Sequence, residues 1–135
     1  MFCVRFLSGK VFFSIMTKQV LIAEDSESIR DRLDRLVSQL GYGVIQAQDG
    51  QEAWEQIQTN NIDLLVTDIQ MPNIDGYTLI GKLQEGRYKI PVIVHSAKFD
   101  SAKAPYDGTI DYFKKPFDSR AEEGKFQEKV RELLG

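Results

Sequence analysis

Five short, mostly apolar runs recur along the chain and limit its fold more than any other feature of the sequence. They cover residues 20–23, 43–47, 62–67, 92–94 and 110–113. Short runs without strict alternation predict strands that are covered on both faces of a sheet. Segments with helical spacing separate them, and the first carries its apolar residues on one face: Ile29, Leu33, Leu36, Val37 and Leu40. Strands that alternate with helices predict an α/β fold, with a doubly wound parallel sheet of five strands.

The ends of the helical segments support this interpretation. Gly41 is placed to end the first helix, and Asp49 with Glu52 three residues later resembles a capping box at the start of the second. A third helix is predicted over residues 78–84. The last helix is predicted from the spacing of Phe126, Val130, Leu133 and Leu134.

The composition excludes several classes of function. With one cysteine, Cys3, and one histidine, His95, the chain has no internal disulfide, no thiolate zinc cluster and no two-histidine catalytic motif. The net charge of −3 and the absence of a basic stripe argue against nucleic acid as a partner. No run approaches the ~20 apolar residues of a membrane span, so membrane insertion is not expected. The length of 135 residues suits one domain with its own core.

The first sixteen residues are apolar and aromatic and differ from the rest of the chain. Residues 8–10 (SGK) break the apolar stretch and no small-residue cleavage site follows, so a secretory signal peptide is not predicted. Two interpretations stay open: residues 2–7 and 11–16 pair as an extra hairpin, or Met16 is the true start. We therefore divide the chain into an N-terminal extension, residues 1–16, and a domain, residues 17–135.

Polar residues follow four of the predicted strands. Glu24 and Asp25 come after the first strand, Asp68 after the third, Ser96 after the fourth and Lys115 after the fifth. Ligands of open parallel sheets bind beyond the carboxyl ends of the strands. These five residues are therefore the candidate functional residues.

The chemistry of this set is specific. Three carboxylates at one edge repel one another unless a cation lies among them, and carboxylate oxygens are ligands that Mg²⁺ prefers. A cation, a lysine and a hydroxyl together can neutralise a phosphoryl group. A carboxylate can itself act as the nucleophile. The residues alone therefore predict metal-assisted phosphoryl transfer to or from an aspartate.

The same residues, in this order, resemble a known family. The acidic pair at 24–25, the segment DIQMPNIDG that starts at Asp68, the SA pair at 96–97 and the KPF triplet at 115–117 resemble the receiver domain of two-component response regulators. The resemblance covers about residues 19–134 and is closest in type to single-domain, chemotaxis-regulator-like receivers. It implies a flavodoxin-like receiver fold.

The resemblance also implies roles for individual residues. Asp68 would be the phosphoacceptor, taking a phosphoryl group from the phosphohistidine of a sensor histidine kinase or a phosphotransfer protein. Asp25, Asp68 and the backbone carbonyl of Gln70 would ligate Mg²⁺, with Glu24 acting mainly through bound water. Lys115 would contact the phosphoryl oxygens.

A second group of residues would couple phosphorylation to a change of shape. Ser96 would move to hydrogen-bond the phosphoryl group, and Tyr112 would be the aromatic switch that rotates inward with it.

Gln70 and Lys98 would flank the water that later hydrolyses the acyl phosphate. The peptide bond preceding Pro116 is expected to be cis in such a fold.

The resemblance implies a cytoplasmic phosphoprotein that catalyses only its own phosphorylation and dephosphorylation. Its output would be a changed surface for a downstream protein, in a two-component system or phosphorelay. Little follows the last predicted helix, so no output domain is expected in this chain. The oligomeric state stays open.

The sequence departs from the family between Ser96 and Lys115. Residues 97–114 are 18 in number, and the last strand takes several of them. Pro105 and Gly108 interrupt the remainder, whose apolar periodicity is poor. We therefore expect the fourth helix of the receiver fold to be short or absent. The surface built on that helix, which many receivers use to dimerise or signal, is not predicted here.

Three other classes of protein agree less well with the sequence. A pseudo-receiver that binds partners without phosphorylation is the alternative, and the presence of Asp25, Asp68 and Lys115 argues against it. A phosphatase of the haloacid-dehalogenase type needs a second acid two residues after its nucleophile, where this chain has Gln70. A dinucleotide site is weaker still, because residues 41–43 (GYG) follow a helix and lack the third glycine.

Overall fold

Two short strands lie in the N-terminal extension. The structure is a computed structural model that describes the backbone of residues 5–7 and 10–12 and the whole of residues 17–135. β1 (Arg5–Leu7) pairs antiparallel with β2 (Lys10–Phe12). The rest of the hairpin considered for residues 2–16 lies outside the described residues, as does Cys3. The division of the chain after residue 16 stays a prediction.

The five predicted strands form one parallel sheet. They are β3 (Gln19–Ala23), β4 (Gly43–Ala47), β5 (Leu64–Thr67), β6 (Val92–Ser96) and β7 (Ile110–Lys114). The strand order is β4-β3-β5-β6-β7, and each pair of neighbours is parallel. This is the order of flavodoxin-like doubly wound sheets, so the predicted fold class is confirmed.

β5 begins two residues after the predicted start of its apolar run at residue 62. This is the largest difference between a predicted and an observed strand start in the sheet. Gln19 donates its backbone N–H to the Asp63 carboxylate over 2.8 Å. The regular pairing of β3 with β5 therefore starts one residue later, with Val20 opposite Leu64. Ile62 is nevertheless buried, which explains why it belongs to the apolar run in the sequence.

Helices cover both faces of the sheet. They are α1 (Glu27–Ser38), α2 (Gly50–Thr59), α3 (Gly76–Glu85) and α4 (Arg120–Leu134). The side chains of α1 and α4 share one buried cluster with the sheet, and those of α2 and α3 share the other. Each helix starts at an N-cap whose side chain accepts a backbone N–H: Ser26, Asp49, Asp75 and Ser119. The cap at Asp75 explains why α3 starts two residues before the predicted position 78.

The connection between β6 and β7 is described throughout and contains no α-helix. A single 3₁₀ turn (Ser101–Lys103), capped by the Asp100 side chain, replaces the fourth helix of the receiver fold. The segment is fixed by burial of Ala104 and by the Tyr106 hydroxyl, which donates to the Ile90 carbonyl over 2.6 Å. The predicted loss or shortening of this helix is therefore confirmed.

None of the helices that the structure describes combines the length and the apolar character that crossing a bilayer requires.

Candidate functional site at the carboxyl edge of the sheet

Three carboxylates meet where β3 and β5 end. Ala23 and Thr67, the last residues of these neighbouring strands, lie opposite each other in the parallel register. Glu24, Asp25 and Asp68 follow them directly, and one oxygen of each lies within 4.8 Å of the others. Two of the three, Glu24 and Asp68, are buried, whereas Asp25 is exposed. The structure thus brings together the three acidic residues that the sequence placed at strand ends.

Both oxygens of the Asp68 carboxylate accept hydrogen bonds that orient the side chain. Oδ1 accepts the backbone N–H of Ile69 over 2.6 Å and that of Gln70 over 3.3 Å. Oδ2 accepts from the Lys115 ammonium over 2.6 Å. Only 6% of Asp68 is exposed, so these contacts fix a side chain that has little freedom.

A glycine allows the chain to pass close to Asp68. A Cβ at Gly76, the first residue of α3, would lie 2.4 Å from the Asp68 carbonyl oxygen and 2.8 Å from the Cα of Ile69. Such distances are well inside van der Waals contact. The glycine therefore lets α3 begin directly against the segment that carries the candidate nucleophile.

Lys115 lies between two of the carboxylates. Its Nζ is 2.6 Å from Asp68 Oδ2 and 2.7 Å from Glu24 Oε1. The backbone places it there, since β7 ends one residue earlier and Lys115 donates its N–H to the Ser96 carbonyl over 3.0 Å. The Lys115–Pro116 bond is cis, as the family resemblance implied.

Burial and charge act against each other on this ion pair. Burial raises the pKa of Glu24, and the hydrogen bonds from Lys115 and from the Ser26 N–H offset only part of that effect. For Lys115 burial acts to lower the pKa, but Asp68 and Glu24 together outweigh it and the pKa is raised. The lysine is therefore a permanent cation among the three acids.

The side chain of Tyr112, in the middle of β7, reaches the backbone of Ser96 at the end of the neighbouring strand β6. Ser96 is buried at the end of β6, and within residues 17–135 no hydrogen bond joins its hydroxyl to Asp68. Tyr112 is 40% exposed, and its hydroxyl donates to the Ser96 carbonyl over 3.0 Å. Its ring packs against Phe99 with centroids 5.6 Å apart. The tyrosine thus points outward in this structure.

An open cleft of about 710 Å³ lies beside the carboxylates. Its walls include the predicted residues Asp25 and Gln70, and also two residues that the sequence analysis did not single out, Tyr77 and Lys103. Lys98 is exposed on the loop after β6 and is not among the residues that line the cleft. Tyr77 and Lys103 carried no signal in the sequence, because one lies in an ordinary helix start and the other in a segment without periodicity.

His95 lies next to Ser96 in the sequence but faces the opposite side of the sheet. It is 4% exposed, and its ring lies 4.5 Å from that of Phe117. Burial lowers its pKa to about 4. Within the described part of the chain neither ring nitrogen has a hydrogen-bond partner. These contacts make His95 a packing residue beside Phe117, which belongs to the buried cluster under α1 and α4.

Comparison with known proteins establishes the family. The sequence model of the response regulator receiver domain matches residues 20–123. This chain belongs to the receiver domain family of two-component response regulators. Response regulator GtcR of Aneurinibacillus migulanus is 36% identical over 119 residues, covering 86% of this chain and 49% of that protein. The alkaline phosphatase synthesis transcriptional regulatory protein PhoP of Bacillus subtilis is 35% identical, covering 78% of this chain and 45% of its own length. The chain thus spans about half the length of these curated relatives.

Solved structures agree with this assignment. The receiver domain of the Francisella response regulator 1452 is 31% identical and superposes with a TM-score of 0.75, covering 87% of this chain and 97% of that domain. Response regulator TrrA of Thermotoga maritima, solved in complex with Mg²⁺-BeF, is 28% identical with a TM-score of 0.75 and covers 87% of this chain and the whole of its own. Receiver domains are thus the class of protein to which both fold and sequence assign this chain.

Proposed function

We propose that Asp68 is the phosphoacceptor of this receiver domain and that Mg²⁺ is its cofactor. The phosphoryl donor would be the phosphohistidine of a sensor histidine kinase or of a phosphotransfer protein. The observation that supports this most directly is the grouping of Glu24, Asp25 and Asp68 within 4.8 Å, with the Lys115 ammonium bonded to two of them. A pseudo-receiver has no need of this costly concentration of buried charge.

The donor set suits a hard divalent cation. Asp25, Asp68 and the backbone carbonyl of Gln70 would hold Mg²⁺, and Glu24 would act mainly through a bound water, since Lys115 and the Ser26 N–H already take its oxygens. All of these ligands are oxygens, as Mg²⁺ requires. When bound, the ion offsets the negative charge of the transferring phosphoryl group. The exposed side of the acidic group, at Asp25, borders the open cleft through which a donor would approach.

The chain's own residues would carry the transfer. A carboxylate oxygen of Asp68 forms a bond to the donor phosphorus while the bond from phosphorus to the donor's imidazole nitrogen breaks, and the imidazole leaves with the electron pair. The N–H groups of Ile69 and Gln70 hold the carboxylate in place during attack. Lys115, already bonded to Asp68, is within reach of the new phosphoryl oxygens.

The acyl phosphate would then bias a conformational equilibrium. Ser96 would close on the phosphoryl oxygens and Tyr112 would turn inward from its exposed position. Shifting such an equilibrium from mostly off to mostly on takes about 5.5 kcal/mol of differential interaction. Two hydrogen bonds to a charged group, at about 1.5–3 kcal/mol each, supply most of that. Gln70 and Lys98 would flank the water that hydrolyses the phosphate and resets the switch.

The output would be a changed protein surface that a downstream target recognises in the cytoplasm. The β6–β7 connection, with one 3₁₀ turn in place of a helix, would form part of that surface and differ from the usual one. The domain would modify only itself and turn over no separate substrate.

Intact mass spectrometry tests the proposal. The protein is incubated with Mg²⁺ and acetyl phosphate beside an Asp68→Asn variant, which keeps the size of the side chain but removes its nucleophilic charge. We expect one phosphoryl group on the parent and none on the variant. Stoichiometric labelling of the variant, or no labelling of a parent shown separately to bind Mg²⁺, would contradict the assignment.

A further inference from the structure

A second lysine lies at the rim of the cleft. Lys103 ends the 3₁₀ turn in the β6–β7 connection and lines the same cleft as Asp25 and Gln70. It is exposed, unlike Lys115, of whose side chain only 17% is accessible. Lys115 thus lies within the acidic group, whereas Lys103 lies at the surface of the cleft beside it.

The turn that carries Lys103 is anchored at several points. The Asp100 N–H donates to the hydroxyl of Tyr77 over 2.9 Å, and the Asp100 carboxylate accepts the N–H of Ala102 over 3.0 Å. Ala104, directly after the turn, is 5% exposed and belongs to the core cluster on that face. The position of Lys103 on the rim is therefore set by the packing of its segment.

The charge of Lys103 is available to a ligand. Its Nζ lies 5.8 Å from the centroid of the Tyr77 ring, a cation–π distance. Among residues 17–135 no carboxylate lies within 4.0 Å of it. Lys115, by contrast, is already engaged by Asp68 and Glu24 at 2.6 and 2.7 Å. Lys103 is thus a cation without an ion-pair partner in that part of the chain, held beside a cleft whose lining includes the carboxylates of Asp25 and Asp75.

We propose that Lys103 binds the anionic phosphodonor at the mouth of the cleft and so sets the rate at which small acyl phosphates phosphorylate the domain. The inference rests on the proposed function. A phosphodonor arrives as an anion and meets Asp25, Asp75 and the buried acids behind them. A fixed cation on the approach path offsets that repulsion and raises the rate of productive encounter.

The test measures the phosphorylation rate against acetyl phosphate concentration at saturating Mg²⁺, so that a changed metal affinity does not enter. The probe is the parent protein beside Lys103→Ala, Lys103→Arg and the matched control Lys125→Ala, which removes an exposed lysine from α4. We expect the slope for Lys103→Ala to fall on the order of fivefold, the size of an exposed charge interaction. Lys103→Arg keeps the charge and restores the slope, and Lys125→Ala matches the parent.

Salt separates a charge effect from a structural one. The difference between parent and Lys103→Ala should shrink between about 0.1 M and about 1 M salt, where the Debye length falls from roughly 10 to roughly 3 Å. Equal slopes for parent and Lys103→Ala overturn the inference while leaving the proposed function intact. A loss that is independent of salt and not restored by arginine also overturns it. A parent that takes no phosphoryl group contradicts the proposed function, and the inference falls with it.

Discussion

The hydroxyl of Tyr112 donates a 3.0 Å hydrogen bond to the main-chain carbonyl oxygen of Ser96. The two residues proposed to move on phosphorylation are therefore joined in the structure through the backbone of one and the side chain of the other. Inward rotation of the tyrosine ring would carry the hydroxyl away from this acceptor. The bond thus belongs to the arrangement in which the ring is 40% exposed and packs against Phe99.

Replacing Tyr112 by phenylalanine should destabilise the unmodified domain more than the domain that carries a mimic of the phosphoryl group. Tyr112→Phe removes a partly buried hydrogen bond, which we expect to lower the free energy of unfolding by about 0.5–1 kcal/mol in the unmodified domain. With Mg²⁺ and beryllofluoride, a mimic of the phosphoryl group, the loss should be smaller. Urea unfolding under both conditions measures the two values.

Tyr106→Phe provides the matched control for that experiment. The Tyr106 hydroxyl donates to the Ile90 carbonyl over 2.6 Å, an acceptor that precedes β6 and is separate from Ser96. Its loss should therefore cost a similar free energy with and without beryllofluoride. An equal loss for Tyr112→Phe under both conditions would show that its bond is not specific to the unmodified arrangement.

Two glycines of α3 should respond in opposite directions to alanine. At Gly76 an added Cβ would lie 2.4 Å from the Asp68 carbonyl oxygen, so Gly76→Ala should cost at least about 2 kcal/mol. At Gly81 an added Cβ meets nothing within 4 Å, so Gly81→Ala should stabilise the helix by about 0.5–1 kcal/mol. Thermal unfolding of both variants tests the pair. A Gly76→Ala protein as stable as the parent would exclude the close approach beside Asp68.

The convergence of the acidic residues could be predicted from the sequence because it follows from topology. Apolar runs identified the strands, and parallel strands bring their carboxyl ends to one edge, so Glu24, Asp25 and Asp68 had to lie near one another. The same logic placed Lys115 at that edge. The missing helix was also predictable, because residues 97–114 are too few and too irregular to form it.

Side-chain choices within the site could not be predicted in this way. Nothing in the sequence indicates that Lys115 bonds to Glu24 as well as to Asp68, since that depends on rotamers and on the depth of burial. Lys103 and Tyr77 are likewise brought to the cleft by the path of an irregular segment. Such a path is fixed by tertiary contacts, here the Tyr77 hydroxyl and the buried Ala104, rather than by periodicity.

Removing a charge from the acidic group should stabilise the metal-free domain. Asp25 is the exposed member of three carboxylates whose oxygens lie within 4.8 Å, so Asp25→Asn relieves like-charge repulsion. Without Mg²⁺ we expect the free energy of unfolding of the variant to exceed that of the parent by about 0.5–1 kcal/mol. Added Mg²⁺ should stabilise the parent but not the variant. Urea unfolding with and without MgCl₂ measures both effects, with Glu128→Gln on α4 as the control. A variant that is less stable than the parent in metal-free buffer would show that Asp25 is not repelled by its neighbours.

The buried histidine should make the domain sensitive to acid. Burial lowers the pKa of His95 from 6.5 to about 4, so the unfolded chain binds a proton at a pH where the folded domain does not. Protonation of His95 in the unfolded chain therefore leaves the stability unchanged above pH 6.5 and lowers it as the pH falls from 6.5 toward 4. The difference between the two pKa values corresponds to a loss of about 3 kcal/mol in the free energy of unfolding over this pH interval.

A His95→Leu variant isolates this effect, because His95 is the one histidine of the chain. Leucine suits a site formed with the ring of Phe117 and leaves no buried nitrogen without a partner. Carboxylates such as Glu24 titrate in both proteins, so the difference between their unfolding free energies reports on the histidine. We expect that difference to grow by about 2–3 kcal/mol in favour of the variant as the pH of urea unfolding is lowered from 7 to 4.5. Parallel pH profiles would mean that the folded domain protonates His95 as readily as the unfolded chain does.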